Sequence, residues 1–127
     1  MAINAQYAST PRAALGQVST ANTARDGTGT LATIFTAGSS GSRIDDIKIH
    51  ATGTTTAGVV RLFLHDGTNA RLFAEILVSA VTPSTTVEAW SATLLNQAIV
   101  IPSGWSLRAS TNNAETFNVI VNRAGDF

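Results

Sequence analysis

The residues best suited to catalysis in this sequence are two histidines and a small number of carboxylates. His65 is followed at once by Asp66 and Gly67, a combination in which an aspartate could orient a histidine base. Neighbouring residues of a strand point to opposite faces, however, so His65 and Asp66 cannot easily share a proton. A nucleophilic serine in a Gly-x-Ser-x-Gly turn is absent from the sequence. The pattern favours a turn over a catalytic triad, and we predict that the protein is not an enzyme.

Metal binding would draw on Asp45 and Asp46, together with either His50 or Asp66. Successive aspartates on a strand diverge, and the Asp-x-Asp-x-Asp-Gly loop of calcium sites is absent from the sequence. With two histidines and no cysteine, the chain offers few ligands for zinc or iron. We therefore predict neither a metal nor any other cofactor.

Two kinds of carbohydrate site can be considered for this sequence, one that hydrolyses a sugar and one that only binds it. Hydrolysis needs two carboxylates that face each other across a cleft, and nothing in the sequence pairs any two of the glutamates. Tyr7, Trp90 and Trp105 could form a stacking platform for a sugar. Both tryptophans, however, are in phase with the apolar residues that follow them along their strands, which predicts a place in the core.

A glycine-containing segment, Gly27-Thr28-Gly29-Thr30, has the composition of a phosphate-binding loop. Such loops need a lysine and a following helix, and neither accompanies this segment. We therefore predict an ordinary turn.

The elements that position these residues are strands, and the clearest is a hairpin over Val59–Val78. Two runs rich in β-branched and aromatic residues flank Asp66-Gly67-Thr68-Asn69, which supplies the positive φ angles of a tight reversal. The even-numbered positions of both runs, including Leu72, are apolar and are predicted to form the buried face. Phe63 and Leu77 fall on the other face, so they need cover from the opposite sheet edge, the N-terminal segment or a neighbouring subunit.

Eight or nine short strands at regular spacing, separated by turn residues, predict an all-β fold. No segment has a sustained helical period. We expect a single antiparallel β-sandwich of jelly-roll type over residues 30–127. Residues 1–29 are predicted to be an extended N-terminal arm and loop, in which Ala13–Val18 could form a short edge strand.

Composition narrows the range of partners. The chain has 127 residues, a net charge of zero and only 13% charged residues. Its basic residues are scattered, whereas attraction to nucleic acid needs a clustered basic face. No apolar run approaches the roughly 18 residues of a membrane span, and the first residues lack the features of a secretory signal. We predict no nucleic-acid or membrane partner. The low surface charge favours a protein that is part of a larger assembly.

The segment Ile99–Ser110, followed by Phe117–Val121, resembles the closing strands of small virion jelly rolls. Together with Ala57–Glu75 and the terminal Gly125-Asp126-Phe127, it resembles the small head decoration (cement) and minor structural proteins of tailed phages and prophages over residues 10–127. The resemblance implies a non-enzymatic virion protein on the exterior of the phage head, made in the cytoplasm of the bacterial host. It would clamp neighbouring major capsid subunits.

The partners that follow are the major capsid protein and further copies of this chain, in a homodimer or homotrimer. The contact residues that we predict lie in the N-terminal arm: Ile3, Gln6, Tyr7, Pro11 and Arg12. An arm that adds a strand to a neighbour's sheet binds through its backbone and demands little of its side chains. Two alternatives stay open, a tail or neck component and a receptor-binding module that binds carbohydrate.

Overall fold

The computed structural model describes residues 8–127, and every regular element in that range is a β-strand. The nine strands are β1 (Thr10–Val18), β2 (Ala32–Thr36), β3 (Ser42–Ala51), β4 (Gly58–His65), β5 (Ala70–Val78), β6 (Ser91–Leu94), β7 (Ile99–Ile101), β8 (Ser106–Thr111) and β9 (Phe117–Asp126). Within the described residues, no helix has the length and apolar character to cross a membrane. The predicted all-β class and strand number are confirmed.

The strands form two antiparallel sheets that pack face to face. Sheet A has the order β1-β9-β3-β6, with β7 also paired to β3, and sheet B has the order β2-β8-β4-β5. The pairing is nested, since β1 pairs with β9, β2 with β8 and β4 with β5. A single long hairpin that folds over into two sheets has this nested order. The order therefore supports the jelly-roll interpretation, which stays a prediction.

The core lies between the sheets and is built from residues that alternate along each strand. In β3, the side chains of Ile44, Ile47 and Ile49 are fully buried. The sequence places Ile44 out of phase with the other two, and a bulge near Asp45 or Asp46 is the expected reason. An irregularity is present at this place, but it involves both strands: the pairing of β3 with β9 omits Asp45 and Arg123 without a change of register, and Arg123 has a φ of 52°.

The hairpin of β4 and β5 contains a bulge that the period-two pattern did not predict. Leu62 pairs with Ala74 and Phe63 pairs with Leu72, so Phe73 is an extra residue on β5. Between this extra residue and the hairpin turn, the side chains of β5 point to the opposite face from the one that the alternation predicts. Leu72, predicted to be buried, is therefore 37% exposed.

The outer face of sheet B is covered by residues 19–31 of the same chain. The backbone N–H of Asn22 donates to the carbonyl of Thr111 at 2.8 Å, and Arg61 donates to the carbonyl of Asn22 at 3.2 Å. Phe63 is fully buried on this side, whereas Leu77 stays 79% exposed. The cover that Phe63 requires comes from within the chain, and Leu77 has none in the described structure.

Part of the predicted arm belongs to the sandwich. Thr10–Val18 forms β1, the edge strand of sheet A, which includes the short edge strand expected at Ala13–Val18. Thr10–Val18 is therefore part of sheet A, and the division of the chain at residue 30 stays a prediction.

Candidate functional site

His65 and Asp66 are both used by the turn of the hairpin. The Nδ1 atom of His65 accepts a hydrogen bond from the backbone N–H of Gly67 at 3.0 Å. The Asp66 carboxylate accepts the backbone N–H groups of Asn69 and Thr68, at 2.7 and 2.9 Å, and these bonds hold its pKa below the usual range. The described structure contains no hydrogen bond between the two side chains, so the arrangement is that of a capped turn.

The residues considered as metal ligands are engaged separately. Asp45 forms an ion pair with Arg43 at 3.0 Å, and Asp46 accepts the backbone N–H of Asn96 at 3.0 Å. Among the described residues, no three acidic, histidine or cysteine side chains lie close enough together to hold an ion. His50 and the two aspartates thus do not converge.

Both tryptophans pack against the core. Trp90 and Trp105 are partly buried, and the ring of Trp90 meets the edge of Phe117 at a centroid distance of 5.7 Å. The prediction of core tryptophans is confirmed. Tyr7, the third member of the hypothetical sugar platform, lies outside the described residues.

Of the predicted contact residues, Ile3, Gln6 and Tyr7 lie outside the described residues, whereas Pro11 and Arg12 are in β1. Arg12 is held within its own chain. Its Nη1 atom donates to the carbonyl of Thr36 in β2 at 2.7 Å and to the carboxylate of Asp126 in β9 at 3.1 Å. The guanidinium also lies 4.1 Å from the centre of the Phe35 ring. Arg12 therefore ties sheet A to sheet B, and its contact with a partner stays a prediction.

Asp126 is the centre of the polar cluster that fixes the beginning of β1. The hydroxyl of Ser42 donates to its carboxylate at 2.5 Å and, with Arg12, holds the pKa of Asp126 below its usual range. Gly38 lies so close to this carboxylate that a Cβ atom at position 38 would be only 2.7 Å from the Asp126 side chain. The cluster leaves little freedom in how the chain enters β1.

Each sheet has an edge strand that carries an exposed leucine. Leu15 of β1 is 78% exposed and pairs with Ile120, beside a groove of about 400 Å³. At the edge of sheet B, β5 pairs only with β4 and carries Leu77, with Phe73 39% exposed on the same strand. Open edges with apolar side chains are surfaces on which another chain can pair.

A polar pocket of about 370 Å³ lies where residues 26–31 meet the turn of the hairpin. The side chains of His65, Arg71 and Arg108 contribute to its lining, together with Asp26. Sequence reasoning treated Gly27-Thr28-Gly29-Thr30 as an isolated turn and missed this pocket. The available signal was Arg108, which has no acidic residue within six positions in the sequence.

These features define an all-β sandwich with open sheet edges and one polar pocket. No family model matches the sequence, and no curated protein sequence matches it. Among solved structures, the chain is similar to one in the capsid asymmetric unit of cyanophage Pam1, at 16% identity and a TM-score of 0.45, over 95% of this chain and 89% of that chain. A likeness at that score supports no statement about the function of this chain.

Proposed function

We propose that this chain is a non-enzymatic structural protein of a phage particle, bound to the outside of the head, where it clamps neighbouring major capsid subunits. The observation that carries the proposal is that two of the sheet edges, β1 and β5, each carry a leucine that is more than three-quarters exposed. The resemblance of its strand sequences to small head decoration proteins gives the setting in which such edges are used.

Edge strands of proteins that stay monomeric are protected by charges, bulges or covering segments. The β5 edge has a bulge at Phe73, but its far half carries Leu77 with no covering residue in the described structure. The whole chain has only 13% charged residues. Such a surface is suited to burial in an assembly, and we propose that copies associate through β5 as a homodimer or homotrimer.

The N-terminal segment is the proposed reaching element. The ladder between β1 and β9 ends at the pair Thr10–Asp126, beyond which the N–H of Ser9 donates to the carbonyl of Asp126 at 2.8 Å. On the other side of β9, the N–H of Phe127 donates to the carbonyl of Gly41. Residues 2–7 precede this ladder in the sequence. We propose that they add a strand to the sheet of a neighbouring subunit, with Ile3, Gln6 and Tyr7 in contact.

The test is to delete residues 2–7 and to measure the copies bound per purified particle by quantitative mass spectrometry. The deletion stops short of Arg12, whose contacts hold the two sheets together. We expect occupancy to fall while the thermal unfolding midpoint stays unchanged. Full occupancy of the deletion variant would contradict the role of the arm, and absence of the wild-type chain from purified particles would contradict the virion role itself.

A second candidate is a tail, neck or receptor-binding component that binds carbohydrate. The polar pocket beside the hairpin turn favours it, since the two tryptophans are packed against the core. Copy number separates the two proposals. A ring component is present in a few copies set by the symmetry of the tail, whereas a head decoration protein follows the number of capsid subunits.

A further inference from the structure

The polar pocket is assembled from three separate parts of the chain. Residues 26–31 form one wall, the hairpin turn with His65 and Arg71 forms another, and Arg108 of β8 lies between them. The wall is close to the turn, because a Cβ atom at Gly27 would lie 2.5 Å from the carbonyl oxygen of Ala70. A concavity of about 370 Å³ falls in the range of small-molecule sites.

The arginines of this pocket differ from all the others in the chain. The sequence has seven arginines, all in the described part. Five of them form an ion pair with a carboxylate: Arg12, Arg25, Arg43, Arg61 and Arg123. Arg71 and Arg108 form none in the described structure, and both line the pocket. Neither guanidinium is in an ion pair, although Arg71 lies close enough to Asp66 to help lower the pKa of that carboxylate.

Their existing hydrogen bonds leave most of their donors available. Arg108 uses Nε to donate to the hydroxyl of Ser106 at 3.1 Å, and Arg71 uses Nη1 to donate to the carbonyl of Ala70 at 3.3 Å. A guanidinium has five N–H donors in a planar fork. The remaining donors of both side chains have no hydrogen-bond acceptor within the described residues.

His65 adds a further donor. Because its Nδ1 atom accepts the N–H of Gly67 at 3.0 Å, the proton of the ring is on Nε2. No partner for Nε2 is present in the described structure. The pocket thus presents two cationic forks and one neutral N–H donor.

One fixed negative charge limits the ligands that fit. Asp26 lines the pocket, and the hydroxyl and backbone N–H of Thr28, at 2.6 and 3.1 Å, hold its pKa below the usual range. Asp26 is therefore ionised at neutral pH. Asp66, close to Arg71 at the turn, adds a second negative charge beside the pocket. The two aspartates would repel a phosphate dianion more strongly than a singly charged carboxylate.

We propose that this pocket binds the carboxylate group of a ligand, held by the guanidinium forks of Arg71 and Arg108. Arginine is the side chain whose planar donors match both oxygens of a carboxylate. The carboxylate could come from a free organic acid, such as a uronic sugar, or from an acidic side chain of a partner protein. The proposal does not depend on the virion role.

The test is a titration of the ¹⁵N-labelled protein, followed by amide chemical shifts. The two carboxylate probes are D-galacturonate and N-acetylglutamate α-amide, and the controls are methyl galactoside and inorganic phosphate. We expect both carboxylates, and neither control, to shift the amides of Gly27, Gly29 and Asn69. The probe that binds more tightly identifies the source, a sugar acid or an acidic side chain.

Variants establish which side chains act. Arg108→Gln and Arg71→Gln should each weaken carboxylate binding by about tenfold, because each removes a charged hydrogen-bonding partner. Arg43→Gln, an arginine already paired with Asp45 and outside the pocket lining, is the matched control and should leave binding unchanged. If Arg108→Gln disturbs the fold, the proposal is tested with Arg71→Gln alone, since Arg71 is exposed.

The proposal is overturned by any of three results. These are the absence of shifts with both carboxylates, equal shifts with methyl galactoside or phosphate, and an equal loss of binding in the Arg43→Gln control.

Discussion

Arg61 is the one charged residue of the described structure that is buried, with 3% of its surface exposed. Its guanidinium donates to the carboxylate of Glu75 at 3.1 Å, to the carbonyl of Asn22 at 3.2 Å and to the side chain of Asn112 at 3.4 Å. A buried cation is tolerated only when its donors are satisfied in this way. These bonds also join the covering segment to sheet B, so Arg61 holds the wall of the pocket in place.

Replacing Arg61 by methionine, which keeps an apolar stem of similar length, should lower the free energy of unfolding by about 3 kcal/mol. The loss arises because the carbonyl of Asn22 loses its donor and the Glu75 carboxylate keeps only Arg25. Urea denaturation measures it. The matched control is Arg25→Met, since Arg25 donates to the same Glu75 oxygen from a side chain that is 67% exposed. That change should cost less than about 1 kcal/mol, and equal losses in the two variants would contradict the role given to Arg61.

Carboxylates make the stability of the protein depend on pH. Arg25, the leading cause, and Arg61 lower the pKa of Glu75 from its ordinary 4.5, and Ser42 and then Arg12 lower that of Asp126 from 3.8. Because each folded-state pKa lies below the unfolded-state value, these groups contribute full stability above the ordinary pKa. That contribution is lost as the pH falls through the folded-state pKa.

The free energy of unfolding should therefore be level from neutral pH down to about pH 5 and decline below it. Urea denaturation at a series of pH values measures the slope. Ser42→Ala, which removes the largest cause of the Asp126 shift, should make the acid slope shallower. An unchanged slope in that variant would show that the Ser42 hydroxyl does not stabilise the ionised carboxylate.

At the scale of elements, the covering segment and the hairpin form a second layer outside the sandwich. Phe63 is buried but does not belong to the cluster between the sheets, and Arg61, two residues earlier on the same strand, donates to the carbonyl of Asn22 in the segment of residues 19–31. We therefore infer that this segment covers Phe63. Phe73, ten residues further on the same hairpin, is 39% exposed. Substitutions of the two phenylalanines therefore test a buried position and a partly exposed position of the same hairpin separately.

Phe63→Ala should lower the free energy of unfolding by about 3 to 4 kcal/mol in the isolated chain, because it empties a fully buried site. Phe73→Ala, the matched change at a partly exposed site, should cost about 1 kcal/mol. Thermal or urea unfolding at low protein concentration measures both. Similar small losses would indicate that the covering segment does not pack on Phe63 in solution.

The strands were predictable because period-two alternation and turn residues are local signals. The bulge at Phe73 was not, since it is defined by the pairing of β5 with β4 and not by the residues of β5 themselves. The covering segment was also missed, because its small polar residues have no apolar pattern and its contacts reach Arg61 and Thr111 far along the chain. For the same reason the pocket, built from three segments, could be suspected from the sequence only through Arg108, which has no acidic residue nearby.

At the scale of the whole molecule, the two open edges are not equivalent. The second residue of the β1 edge is Pro11, which lacks a backbone N–H, and Arg12 of that strand donates to a carbonyl of β2 in the other sheet. The β5 edge has nine residues, none of them proline, and carries the exposed Leu77 just before its last residue. Pairing between copies should therefore use β5 in preference to β1.

Leu77→Lys should reduce self-association, because it places a charge on the proposed β5 interface. Sedimentation equilibrium over a range of concentrations measures the weight-average mass, which should fall towards that of the monomer. Leu15→Lys introduces the same charge at an equally exposed leucine on β1 and should leave the mass unchanged. A wild-type chain that is monomeric at every concentration would contradict the proposed homodimer or homotrimer.

The position of β9 has a consequence for how the chain folds. Among the described strands β9 comes last in sequence, yet in sheet A it lies between β1, the first, and β3. Until β9 is in place, β1 has no partner in its sheet, and one edge of β3 stays open. Closure over such sequence separations is slow, and the waiting edges are surfaces for misassociation with other nascent chains. The step that completes sheet A is therefore the one at which a chaperone or low expression temperature would most improve the yield of native protein.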